Sequence, residues 1–182
     1  MFILPPTVQA LLALLVIVAG VSDYRTRRVP NWLTFSGVAA GIAVNAFLYA
    51  LPGLWISLKG LGLALLIYFP LFALRGMGAG DVKLMAAVGA IAGPANWLGI
   101  LILTAVFGGI AAIALVAYRH RLRETFDNVW VIFTRLGRGQ APSEGNPQLD
   151  VQSDRAARLP HAVVIACGTL AFLAAEAILG SR

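Results

Sequence analysis

The chain has 182 residues, 59% of them hydrophobic and 12% charged, with a net charge of +6 and a mean hydropathy of +0.83. Soluble domains carry about 25% charged residues, so this composition argues against a water-solvated fold and makes lipid the expected solvent. The positive excess, which on a soluble protein would suggest nucleic acid, reads here as a topology signal, and no nucleic-acid partner is expected. The single cysteine, Cys167, lies in an apolar run, and His120 and His161 stand far apart. Neither a disulfide, a metal site nor a cofactor is therefore expected.

About 20 apolar residues cross a bilayer as a helix. Run 2–22 meets this length, and no Lys or Arg precedes Arg25, so it reads as a retained span rather than a secretory signal. It ends at Asp23, followed by Arg25, Arg27 and Arg28. Spans are then predicted over 31–51, 56–74, 82–94, 97–118 and 160–179. The run 82–94 is short and is expected to tilt or to sit inside the bundle. Gly37 with Gly41, and Gly89 with Gly93, recur at helix-packing spacing and are read as close helix contacts. The segment 119–159 is the only long polar stretch. Its first half places Leu122, Phe126, Val129, Trp130, Phe133 and Leu136 near helical spacing, which predicts an amphipathic helix on the membrane surface. Its second half is rich in Gly, Pro, Ser and Gln and is read as a loop. The expected fold class is all-α: one domain over 1–182, a polytopic membrane bundle of about six helices with an amphipathic loop helix.

Alternating passes place Arg25, Arg27, Arg28, Arg75, Lys83, Arg119, Arg121, Arg123, Arg135, Arg138, Arg155 and Arg158 on one face, leaving only Lys59 and Arg182 on the other. Basic residues collect on the cytoplasmic side. That face is therefore expected to be cytoplasmic, with both termini outside.

Five of the eight acidic residues fall in the long loop: Glu124, Asp127, Glu144, Asp150 and Asp154. Glu176, near the outer end of the last span, is expected to reach the outer surface or to satisfy a neighbour. Asp23 and Asp81 remain, both assigned to the cytoplasmic face. Ionisable groups at membrane depth are costly and are functional candidates by default. Two carboxylates brought together share a proton, so one can act as general base on a water while the other acts as general acid. Each also has a plainer reading. Asp81 is suited to cap the fourth helix, and Asp23 to pair with the arginines that follow it. The alternate glycines of Gly76-Met77-Gly78-Ala79-Gly80-Asp81 exceed what a helix cap needs. They allow a sharp bend and the close approach of an extended substrate.

Gly78-Ala79-Gly80-Asp81 resembles the Gly-x-Gly-Asp signature of the type IV prepilin peptidases and the related preflagellin peptidases. Asp23-Tyr24-Arg25-Thr26-Arg27-Arg28-Val29-Pro30-Asn31 looks like that family's first-aspartate motif, and Leu159-Pro160-His161-Ala162 is similar to the opening of its final helix. The resemblance implies a bacterial inner-membrane aspartic endopeptidase. It would remove the basic leader from prepilin or pseudopilin substrates at the cytoplasmic face. It implies Asp23 and Asp81 as the catalytic pair and Gly78 and Gly80 as motif glycines, with Asn31 and Lys83 orienting the pair or meeting substrate. Pro30 is expected to set the start of the second span. Larger family members carry a segment with paired Cys-x-x-Cys motifs and also methylate the new N-terminus. This sequence is similar instead to the short, peptidase-only form of tight-adherence or Flp-type pili. Two other classes compete: a small transporter or channel using intramembrane carboxylates, and a non-catalytic scaffold for pilus assembly.

Overall fold

A helix rises 1.5 Å per residue, so a hydrocarbon core of about 30 Å sets the natural length of a membrane helix. The computed structural model describes residues 3–74, 77–118 and 161–180. Among these the chain forms four helices: α1 (Pro6–Thr26), α2 (Asn31–Ala73), α3 (Ala79–Tyr118) and α4 (His161–Gly180). All four are long and apolar enough to cross a membrane, and no strand occurs among the described residues. The expected all-helical membrane fold is thus observed; the described residues form four continuous helices, of which α2 and α3 are each two helical arms joined at a sharp bend. The amphipathic helix expected after residue 118, the two residues Leu159 and Pro160, and Arg75 and Gly76 lie outside the described residues.

α2 has 43 residues and α3 has 40, about twice what one crossing needs. Each is broken at one residue, Ala50 (φ 52°, ψ −137°) and Gly93 (φ 73°, ψ 170°). Pro52 and Pro94 follow closely, and each removes a backbone donor and clashes with the preceding turn. The chain turns back at these points. Asn45 Nδ2 donates to Ser57 Oγ at 2.9 Å, and Trp97 Nε1 donates to the Met85 carbonyl at 3.0 Å. Residues that far apart would be separated by about 18 Å along a straight helix.

Breaking a helix inside a membrane frees carbonyls that lipid cannot satisfy. Pro94 has no N–H for the Ala90 carbonyl, four residues earlier. The buried Asn45 amide of α2 supplies it, reaching the carbonyls of Ala90 at 3.2 Å and Ile91 at 3.1 Å. The bend in α3 is thereby held by a side chain from α2, and the two helices make the most extensive pairing in the bundle.

The centre of the bundle is the first part of α3. Residues 84–93 are buried without interruption, and six of these ten are Ala or Gly. Small residues let backbones approach closely where lipid gives no hydrophobic drive between helices. A Cβ on Gly41 would meet Ile91 Cγ1 at 2.7 Å, one on Gly37 would meet Leu15 Cδ1 at 2.9 Å, and Gly60 and Gly89 face each other's carbonyls. The expected packing role of Gly37, Gly41 and Gly89 is observed. Gly93 packs closely too, a Cβ there meeting Ile56 Cγ2 at 2.6 Å, and it also occupies the bend, where its positive φ suits glycine. Large apolar side chains face outward, among them Phe47 at 89% and Leu66 at 72% exposure, as a lipid-facing surface requires.

α1 and α4 run antiparallel. Asp23 at the end of α1 meets Ala162 at the start of α4, and Gly20 lies against Ala166. At the opposite end Glu176 is buried against the Leu4 backbone. Of its two expected placements, the outer surface is corrected to a buried position against the residues that precede α1.

Candidate active site

One end of the bundle gathers the end of α1, the starts of α2 and α3, and the start of α4. Local chemistry builds each part. α1 closes on Arg27, which adopts the left-handed conformation (φ 54°) and donates its backbone N–H to the Asp23 carbonyl at 2.8 Å. The hydroxyls of Ser22 and Thr26 both donate to the Arg28 carbonyl, at 3.0 and 3.3 Å, so the connection to α2 is tied to the last turn of α1. Pro30 stands immediately before α2, whose first residue is Asn31. This agrees with its expected role as a start signal.

Asp23 is buried, and its Oδ2 accepts a hydrogen bond from the Ala162 N–H at 3.0 Å. The first N–H groups of a helix have no partner within it. Asp23 satisfies one of them from another helix. That is a different contact from the arginine pairing weighed in the sequence, and it fixes the carboxylate at the mouth of α4.

Asp81 lies in the first turn of α3 rather than at its cap. Gly78 takes the capping position, its carbonyl accepting from the N–H groups of Asp81 at 3.2 Å and Val82 at 3.4 Å. The Asp81 carboxylate reaches back to the Gly78 backbone N–H, as the third helical residue does in a capping box. A Cβ on Gly78 would sit 3.2 Å from Asp81 Oδ2, whereas one on Gly80 would make an ordinary 3.4 Å contact with Val29. The two motif glycines thus differ. Gly78 gives the carboxylate room, and Gly80 lets the turn lie against the connection that carries Asp23.

Asp81 is close enough to feel the charges of both Asp23 and His161, and Tyr68 feels Asp81. Asn31 and Lys83 are also brought together. Lys83 Nζ donates to Asn31 Oδ1 at 3.0 Å and stands 6.0 Å from the Phe35 ring centroid, on the exposed side of the site. All six residues singled out in the sequence therefore lie at one end of the bundle. Chemically the arrangement offers two neighbouring carboxylates, backbone donors that bind them, and a cation held by an amide beside them. His161 and Tyr68 were not selected. A histidine opening a predicted span was a visible signal for His161, but Tyr68 sits mid-span in α2 with nothing local to mark it. It reaches the site by packing edge-to-face on Trp97, with ring centroids 6.0 Å apart.

The family model of the type IV leader peptidase family matches residues 10–113, a stretch that contains Asp23, Asn31, Gly78, Gly80, Asp81 and Lys83. No curated protein and no solved structure matches the chain.

Proposed function

The chain belongs to the type IV leader peptidase family, and from that membership we propose that it is an aspartic endopeptidase that cuts the basic leader from pilin-type precursors, with Asp23 and Asp81 as the catalytic pair. The observation that carries this reading is the proximity of the two carboxylates, which lie 58 positions apart in sequence but share one end of the bundle, with Asp81 in range of the Asp23 charge.

Two carboxylates at short range hold one proton between them. The ionised member removes a proton from a water molecule, and the resulting hydroxide attacks the scissile carbonyl carbon. The protonated member gives its proton to the carbonyl oxygen, forming a gem-diol. The first acid then delivers its newly gained proton to the amide nitrogen. The C–N bond breaks, and a gem-diol hydroxyl returns a proton to the second acid. The products are a free carboxylic acid and a free amine, and the pair ends as it began. Water must reach this end of the bundle, and the half-buried Asp81 beside the exposed Asn31 gives it a path. The Lys83–Asn31 pair, on the exposed side, is suited to hold the substrate's backbone carbonyls near the carboxylates.

The distribution of basic residues supports placing this end in the cytoplasm of a bacterial cell, with the bundle in the inner membrane and both termini outside. The precursor's basic leader would then lie in the cytoplasm and its apolar segment in the bilayer. The short form serving Flp-type pili is the proposed subclass. Co-expression with such a precursor tests the reading. Leader removal is expected with the wild type and is expected to disappear in Asp23→Asn and in Asp81→Asn. Normal processing by either variant would sink the assignment of the pair.

A further inference from the structure

Tyr68 of α2 is 3% exposed and stands within range of the Asp81 charge, yet the acid-pair mechanism does not use it. Helix pairing sets its level. A Cβ on Gly60 would run into the Gly89 carbonyl, and one on Gly89 would meet Ala64 Cβ at 3.2 Å. The second arm of α2 and the first arm of α3 therefore lie antiparallel. One further turn along each brings Tyr68 level with Met85, and a second brings the end of α2 level with Asp81. Trp97 then fixes the ring. It is fully buried, its Nε1 donates to the Met85 carbonyl at 3.0 Å, and it meets Tyr68 edge-to-face with centroids 6.0 Å apart. Met85 follows Asp81 by four residues, on the same face of α3. Tyr68 is thus held over the first turns of α3 from the buried side, while Asn31 and Lys83 stand on the exposed side. No hydrogen bond joins the phenol to the Asp81 carboxylate, so an oxygen of a third group can stand between them. The side chain also borders a cavity of about 410 Å³ with Met77 and His161, so packing does not seal it off. A phenylalanine would pack on Trp97 in the same way. The hydroxyl adds nothing to that packing and is costly to bury; what it adds is a neutral donor near a carboxylate.

We propose that Tyr68 is a third catalytic residue of this site, its hydroxyl donating a hydrogen bond to the scissile carbonyl oxygen from the buried side of Asp81. The inference rests on the aspartic-endopeptidase reading and deepens it. As hydroxide adds to the carbonyl carbon, that oxygen gains negative charge until the protonated acid delivers its proton. A donor already aimed at it, where little water reaches, stabilises the developing charge more than it stabilises the bound peptide. The phenol keeps its own proton, so the proton balance of the acid pair is unchanged. A cation in the same place would pair with a carboxylate and favour loss of the shared proton. A neutral phenol donates without that effect.

The test uses the full chain in phospholipid nanodiscs and a synthetic peptide with a short lysine-rich stretch ahead of about 20 apolar residues. Tyr68→Phe keeps the ring on Trp97 and removes only the donor. It is expected to lower kcat about 100- to 1,000-fold, the range for losing one such donor, with KM unchanged. Two uncleavable forms of the peptide separate this role from a structural one. In one a hydroxyethylene group replaces the scissile bond; the other lacks that hydroxyl. Tyr68→Phe is expected to weaken binding of the hydroxyl form about tenfold and to leave the other unchanged. Should Tyr68→Phe fail to fold, a fluorinated tyrosine at position 68 keeps ring and hydroxyl but ionises at lower pH. Its kcat is expected to fall as that ionisation removes the donor, a fall absent from the wild type. Wild-type kcat in Tyr68→Phe overturns the proposal. So does a loss confined to KM, an equal weakening of both uncleavable peptides, or a fluorinated enzyme that follows the wild-type pH profile. Asp23→Asn and Asp81→Asn are assayed alongside. Full cleavage by either sinks the acid-pair reading and this proposal with it. Loss in both, with full kcat in Tyr68→Phe, sinks this proposal alone.

Discussion

Asp23 carries two duties that point mutations can separate. Its carboxylate accepts the Ala162 N–H, and asparagine caps a helix N-terminus about as well as aspartate. Asp23→Asn is therefore expected to keep the α1–α4 contact and its melting temperature in detergent while losing leader cleavage by at least ~100-fold, the low end of what a positioned acid or base supplies. Asp23→Ala is expected to lose activity and also about 1–3 kcal/mol of stability, because the Ala162 N–H is left unpaired. An Asp23→Asn protein that cleaves normally would reduce the residue to a structural clasp. The motif glycines are expected to divide in the same manner. A Cβ on Gly78 presses on Asp81 Oδ2, and one on Gly80 makes an ordinary contact with Val29. Displacing a reacting group by about 1 Å costs about 100-fold, so Gly78→Ala is expected to lose far more cleavage than Gly80→Ala when initial rates are compared. Equal losses would show that the turn, rather than the carboxylate, is what the glycines protect.

At the scale of the helix, the bends at Ala50 and Gly93 do what separate spans with loops would otherwise do. They depend on a few polar contacts, above all Asn45. Its amide serves the Ala90 and Ile91 carbonyls and the Ser57 hydroxyl at once. Membrane-buried hydrogen bonds are worth about 0.6 kcal/mol each on average and up to ~1.7, so Asn45→Leu is expected to cost about 1–3 kcal/mol, read as a lowered midpoint of unfolding in detergent. No loss would mean that Pro94 alone sets the bend. The close crossing of α2 and α3 leaves less tolerance. A side chain on Gly60 would run into the Gly89 carbonyl, so Gly60→Leu is expected to prevent assembly, seen as proteolysis of the membrane-inserted chain.

Over the whole molecule, the acid pair, the Lys83–Asn31 contact and the mouth of α4 share one end, and Glu176 with Leu4 marks the other. The proposed orientation follows from charge. Single cysteines placed in a Cys167→Ala background at Tyr24 and at Ile3, both exposed, are expected to react with a membrane-impermeant reagent from opposite sides. Tyr24 should react only when the cytoplasmic face is open. The reverse pattern would invert the topology and place the carboxylates outside.

Much of this was legible in the chain itself. Hydropathy marked the apolar helices because a bilayer imposes one length and one solvent on every span, and those constraints act locally. The glycine–aspartate turn and the Asp23 motif could be read because their residues adjoin in sequence. The two bends could be placed, since the apolar runs divide near Pro52 and Pro94, but the partner that satisfies the freed carbonyls, Asn45, could not. Only the tertiary structure brought Ala162 to Asp23 and Tyr68 toward Asp81. Each of those contacts joins groups on different helices, and which faces meet is decided by how small residues such as Gly41, Gly60 and Gly89 let backbones close on one another.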